Sequence, residues 1–150
     1  MPQRAPMTNP LAFTVVLDQF TNLRVQANDE WHAMKAAVVG PSLIMTTQEL
    51  MKSGALAQKA LLSNALRKFV KALPDQQLYA LLAMMYAGRD GKSDPVAYWD
   101  SSIRRTVQSR SAAVEVMLEK EPAAQYIRHA IDSLAAGLEL DEIPSLVAAP

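Results

Sequence analysis

Residues 78–90 read LYALLAMMYAGRD, and this stretch decides the fold of the chain. Its leucine, alanine and methionine residues are strong helix formers. They cover nearly the whole circumference of a helix instead of one stripe, and a helix that is apolar all round belongs in a protein interior. The sequence therefore predicts a central buried helix over about 75–87, with the other helices packed around it.

Start and stop signals for helices flank this stretch. Pro74 is typical of a helix start, and Asp75 is favourable in a first turn, where the helix dipole leaves a partial positive charge. Gly88 can adopt the left-handed conformation that ends a helix. Further on, Asp94 followed by Pro95 has the order of an N-cap and a first helical residue, which predicts the start of the next helix.

The remaining sequence favours helices throughout. Good helix formers recur along the chain, and no alternating apolar pattern predicts a strand. Pro10 predicts the start of the first helix, and the capping-box spacing of Thr46 and Glu49 predicts a second. The apolar stripe predicted for the first helix consists of Leu11, Val15, Val16, Phe20, Leu23 and Ala27. The expected fold is all-α: a compact bundle of five or six helices in one domain, residues 1–150, with short flexible ends at about 1–8 and 143–150.

Composition excludes several classes of function. The chain has no cysteine, which rules out thiolate catalysis, zinc–thiolate sites and iron–sulfur ligation, and we expect a cytoplasmic protein. No apolar run approaches the roughly 20 residues that span a bilayer, and the N-terminal stretch lacks a convincing signal peptide, so no membrane partner is expected. Fifteen basic and fifteen acidic residues cancel, so no overall field favours a nucleic acid or an anionic surface.

The charges are nevertheless unevenly distributed. Residues 50–74 contain five bases and no acid, whereas residues 115–142 contain seven acids and two bases. The five bases form a candidate basic patch on one helix surface: Lys52, Lys59, Arg67, Lys68 and Lys71. Three more bases could extend it: Arg104, Arg105 and Arg110. Such a face can contact a phosphate backbone, which makes a nucleic-acid-associated helical protein the alternative function. It can equally face the acidic part of the same chain or of a second copy.

The candidate site with the most distinctive sequence is the junction formed by Gly88, Arg89 and Asp90. Arg89 could anchor an anion beside the start of the next helix, and a small-anion-binding enzyme centred on Arg89 is a weaker alternative function. The same residues also suit an ordinary helix corner. We predict no catalytic residue, no cofactor and no metal site, because neither His32 nor His129 belongs to a catalytic or ligating motif.

The central part of the chain resembles a known sequence pattern. The run Asp75–Asp90, followed by Trp99 and Pro122, resembles the signature of a bacterial helical domain family of uncharacterised function. In that family a Leu/Ala/Met helix leads into Gly-Arg-Gly-Asp or a close variant, and a tryptophan helix and a proline-started terminal helix follow. The resemblance covers roughly residues 75–138. It implies an all-helical fold and a bacterial origin, and it implies no established activity.

Methionine is frequent in this chain, with eight residues, and its flexible side chain suits adaptable apolar surfaces. Four residues near the Gly40-Pro41 break form a candidate interface: Trp31, Met34, Met45 and Met51. We therefore predict a non-catalytic helical module for protein–protein interaction or assembly. Its partner would be another protein or a second copy of the chain, with a homodimer favoured, and docking would use a helix face or a groove.

Overall fold

The computed structural model describes residues 11–39 and 64–150, and these residues form an all-helical fold without a strand. The predicted fold class is therefore confirmed. The α-helices of the described ranges are α1 (Phe13–Val39), α2 (Asn64–Ala72), α3 (Asp75–Asp90), α4 (Pro95–Tyr98), α5 (Arg110–Glu119), α6 (Ala123–Asp132) and α7 (Ile143–Leu146). Two of these are single turns, α4 and α7, so five longer helices remain. The capping box at 46–49 and the N-terminal end lie outside the described residues.

Helix α3 is the central helix, as predicted. Ten of its sixteen residues are buried, among them Leu78, Leu81, Met84 and Met85. It packs along α6 and also contacts α1, α4, α5 and α7. Full burial of a leucine or methionine side chain stabilises a fold by roughly 1.5–3 kcal/mol, so this helix supplies a large part of the stability of the core.

Gly88 lies inside α3 and does not end it, contrary to the prediction. The helix continues to Asp90, and Gly91 takes the left-handed conformation at its C-terminus, with φ of 69°. The amide of Lys92 then donates to the carbonyl of Ala87 at 2.8 Å. Gly88 has a different purpose: a Cβ atom there would lie 1.6 Å from the carbonyl oxygen of Tyr126 in α6. Only glycine permits this approach of the two backbones.

The predicted helix after Asp94 is present but changes its winding. The Asp94 carboxylate accepts a hydrogen bond from the Ala97 amide at 3.0 Å, which confirms the predicted N-cap. One turn of α-helix passes into a π-helical turn at Trp99–Ile103 and then into a 3-10 turn at Arg104–Thr106. Trp99 is fully buried, and its indole nitrogen donates to the Ala148 carbonyl at 2.7 Å. The winding change thus accompanies a tryptophan that ties the C-terminal residues to the core.

The C-terminal segment packs onto the core, contrary to the flexible end predicted for residues 143–150. Ile143 is fully buried and Val147 is nearly so. A 3-10 turn at Leu140–Glu142 precedes α7 and contacts α1. There the Asp141 carboxylate accepts a hydrogen bond from the Thr14 amide at 2.8 Å. Because Thr14 is in the first turn of α1, Asp141 caps that helix and stabilises its positive end.

The buried face of α1 differs from the predicted stripe. The structure buries Phe13, Val16, Leu17, Phe20, Ala27 and Trp31. Leu11 and Val15, which were predicted to be buried, are 48 % and 39 % exposed. The buried face is therefore centred on the side of the helix that carries Phe13 and Phe20.

Arg24 lies on this buried face with only 2 % of its surface exposed. Its Nη1 donates to the Leu118 carbonyl at 2.6 Å, and its Nε and Nη2 donate to the Asn28 side-chain oxygen at 3.1 and 2.8 Å. Asn28 in turn donates to the Glu121 carbonyl at 2.8 Å. Burial lowers the pKa of Arg24, and the charge of Glu121 acts in the opposite direction. These hydrogen bonds attach α1 to the end of α5 and the start of the α5–α6 turn.

Candidate functional site

The Arg89 junction forms a closed group of polar contacts on the surface. Nε and Nη2 of Arg89 donate to the two carboxylate oxygens of Asp90 at 2.8 and 3.0 Å. The Tyr98 hydroxyl donates to the same carboxylate at 2.5 Å, and the Arg89 guanidinium lies 4.6 Å from the centre of the Tyr86 ring. Asp90 therefore occupies the Nε and Nη2 edge of the Arg89 guanidinium, which would otherwise bind an anion with two hydrogen bonds. This geometry favours the helix-corner interpretation of the junction.

The electrostatics of the junction agree with that interpretation. The Arg89 guanidinium and the Tyr98 hydroxyl hold the pKa of the Asp90 carboxyl below its usual range. The same contacts raise the pKa of Arg89 and of the Tyr98 hydroxyl, in each case chiefly through the hydrogen bond to Asp90. A tyrosine with a raised pKa stays protonated at neutral pH, so it is a poor general base.

These contacts predict an unusually acidic Asp90. We expect the Asp90 carboxyl to titrate below its ordinary pKa of about 3.9, because ionised Asp90 gains hydrogen bonds that the protonated form loses. Since the folded pKa is lowered, Asp90 stabilises the fold above the unfolded pKa, and this contribution disappears as the pH falls through the folded pKa. Carboxyl-detected NMR titration measures it directly. Arg89→Gln should raise the Asp90 pKa, whereas an unchanged value would contradict the assigned pair.

The predicted basic patch is only partly available in the described part of the chain. Arg67 pairs with Glu115 of α5 at 2.8 Å, while Lys68 and Lys71 are exposed. Two members lie outside the described residues: Lys52 and Lys59. One basic residue of α2 thus faces an acidic residue of the same chain, which was the alternative to a phosphate-binding face.

Arg110, a possible extension of that patch, connects α2, α3 and α5 instead. Its Nη1 contacts the Asp75 carboxylate at 2.5 Å, and its Nη2 donates to the carbonyls of Lys71 and Leu73 at 2.9 and 2.7 Å. The Lys71 carbonyl is in the last turn of α2, and the Leu73 carbonyl directly follows that helix. A cation at this end interacts favourably with the helix dipole. Arg110 therefore has a structural role, at the corner between α2 and α3.

The structure describes two residues of the predicted interface, and neither is fully exposed. Trp31 is only 7 % exposed within a single chain, and Met34 is partly buried. The other two residues of that prediction lie outside the described residues: Met45 and Met51. A buried tryptophan makes a poor docking residue, because exposing it to a partner would require the core to open.

Exposed large apolar residues of the described ranges lie before α1, on α1 and on α7. The two most exposed are Leu11 and Leu146, at 48 % and 49 %, and Val15, in the first turn of α1, is 39 % exposed. Leu11 forms part of a groove of about 300 Å³ that we call the α1–α7 groove. One wall is formed by residues 11–13, which lead into α1. The other walls are formed by Pro74, Gln76 and Gln77 at the start of α3, and by Asp141, Pro144 and Ser145 in and just before α7.

Three hydrogen bonds hold the walls of this groove in place. The side-chain amide of Gln77, itself buried, donates to the Leu11 carbonyl. Asp141 caps α1 from the opposite wall, and the Ser145 hydroxyl donates to the Glu142 carbonyl at 2.6 Å. A groove whose walls are fixed in this way loses little conformational entropy when it binds a partner.

A second, smaller groove of about 170 Å³ lies between α1 and α6, and we call it the α1–α6 groove. Leu17, Ile131 and Leu140 supply its apolar wall. Asp18 and Arg128 are its charged residues. The 3-10 turn at Leu140–Glu142 contributes a residue to each of the two grooves, so it separates them.

No group of three possible metal-ligating side chains occurs among residues 11–39 and 64–150. His32 and His129 are both exposed. Over the same ranges, no helix has both the length and the apolar character needed to cross a bilayer.

Comparison with models of protein families, with curated proteins and with solved structures finds no match to this chain. The resemblance of residues 75–138 to a bacterial helical family therefore stays a prediction.

Sequence reasoning missed the α1–α7 groove because its walls come from three distant parts of the chain. The only available signal in the sequence was the pair of leucines that closely follow prolines near the two ends of the chain, Leu11 and Leu146.

Proposed function

We propose that this chain is a non-catalytic protein-interaction module that binds its partner at the α1–α7 groove. The observation that supports this most is the position of Leu11, 48 % exposed, in the lining of the groove. Leu146, 49 % exposed, directly follows the lining residues Pro144 and Ser145 of α7. Exposed apolar side chains beside a concave surface are typical of docking sites. The absence of cysteine supports action in the cytoplasm.

A groove of about 300 Å³ accommodates a few side chains of a partner peptide or helix. Gln77 and Asp141 already hold the backbone around it, so a partner would contact a preformed surface. The predicted homodimer would use the outer face of α1, since Trp31 is buried within one chain. Light scattering across a dilution series would detect such self-association.

The test is selection of binders from a random displayed peptide library, followed by affinity measurements on single variants. We expect peptides whose affinity falls about tenfold with the double variant Leu11→Ser/Leu146→Ser, because two apolar contacts are lost. Both side chains are half exposed in the free chain, so the fold should be retained.

Val25→Ser is the matched control. Val25 is 36 % exposed on α1, and neither it nor its two neighbours in the chain line either groove, whereas Leu11 lines the α1–α7 groove and Leu146 directly follows the lining residue Ser145. Peptide affinity should stay unchanged in this variant. If no selected peptide distinguishes the Leu11/Leu146 variant from the Val25 control, the groove is not a docking site.

A further inference from the structure

The surface around the α1–α7 groove is acidic. Glu139, Asp141 and Glu142 lie within four residues of one another, and all three are exposed. Asp141 lines the groove, and no basic residue of the described ranges does. Asp18 lines the adjacent α1–α6 groove, where Arg128 is the one base of the lining. Because the whole chain has zero formal net charge, this local excess of acid reflects segregation of charge.

We propose that the partner of this groove is a peptide segment of another protein that carries aliphatic and basic side chains together. The aliphatic side chains would cover Leu11 and Leu146, and the basic ones would face Glu139 and Glu142. Charge complementarity of this kind speeds association and rejects acidic competitors. The inference rests on the function proposed above and specifies the chemistry of its partner.

A second copy of the chain fits this surface poorly. In a two-fold contact the same patch faces itself, so Asp141 and Glu142 of both copies would approach each other. Like charges brought together across an interface oppose association. The acidic surface therefore favours a different, basic partner over a homodimer built on this groove.

The peptides selected from the unbiased library test the inference. We expect them to share an aliphatic residue and at least one lysine or arginine within a helical turn or two. The double variant Glu139→Gln/Glu142→Gln should weaken their binding roughly fivefold, and so should an increase of salt from low to high ionic strength. It leaves Asp141, the cap of α1, unchanged.

Asp29→Asn/Glu119→Gln is the control, because it also removes two negative charges from exposed positions, but neither position is within two residues of a groove-lining residue, whereas Glu139 and Glu142 adjoin Leu140 and Asp141. Its affinity for the peptides should equal that of the unaltered chain. Peptides that require Leu11 and Leu146 but carry no basic residue, and that ignore both salt and the glutamate changes, would overturn the inference and leave the docking function standing. If the library yields no peptide whose binding depends on the groove, both the docking function and the proposed partner chemistry are wrong.

Discussion

Gly88→Ala is expected to destabilise the fold by at least about 2 kcal/mol, although alanine is the better helix former. Inside a helix, alanine is favoured over glycine by about 1 kcal/mol. Against this, the added Cβ would lie 1.6 Å from the Tyr126 carbonyl oxygen, so α3 and α6 would have to move apart. Overpacking of a tight core costs about 1–3 kcal/mol and occasionally more. The helices that must separate form the most extensive contact of the core.

Thermal unfolding measures this effect, and a fall of at least about 5 °C in the melting temperature is expected. Gly88→Ala combined with Tyr126→Ala tests the cause, because the obstacle is a backbone oxygen and truncating the tyrosine side chain should give no rescue. Gly91→Ala serves for comparison. Gly91 has φ of 69° and no neighbour within 4 Å of an added Cβ, so its cost should be limited to backbone strain of about 1–2 kcal/mol. Equal or greater stability of Gly88→Ala would contradict the close approach of α3 and α6.

Local signals in the sequence predicted the central helix and its neighbours well. Continuous apolar character from Leu78 to Met85 could only be satisfied by burial on all sides, which the structure confirms. The Asp94 cap was predictable because an N-cap acts within three residues of itself. By contrast, Gly88 was predicted to end α3, and this was wrong, because the helix continues to Asp90 and Gly91 takes the left-handed conformation. The need for glycine at position 88 comes from α6, which lies more than thirty residues further along the chain and leaves no local signal.

The candidate sites were less predictable because they depend on long-range pairing. Arg89 and Asp90 lie at the end of α3 and pair with each other, but the Tyr98 hydroxyl that also contacts Asp90 comes from another helix. The sequence left open whether Arg67 faces a phosphate backbone or an acidic residue of its own chain, and only the position of α5 shows that it pairs with Glu115. Residue type also misleads at Arg24, which is buried on α1 although arginine is rarely buried.

Arg24→Met is the second change with a large expected effect, a loss of about 2–4 kcal/mol of stability. Methionine fills much of the same space but cannot donate to the Leu118 carbonyl or the Asn28 side chain. A buried acceptor that loses its donor costs about 1–3 kcal/mol, and two acceptors are affected here. Chemical denaturation measures the loss. Arg128→Met, at an exposed position on α6, should change stability by no more than about 0.5 kcal/mol.

The hydrogen-bond network also predicts coupling between two positions. Asn28→Leu removes the acceptor for Arg24 and the donor to the Glu121 carbonyl, so it should be destabilising by itself. The double variant Arg24→Met/Asn28→Leu should lose less stability than the sum of the two single changes, by about 1 kcal/mol, because one unsatisfied partner disappears with the other. Strict additivity would show that the two side chains act separately. A non-additive result would mean that the arginine and the asparagine act as one unit joining α1 to the end of α5, which is what keeps a buried cation in the core.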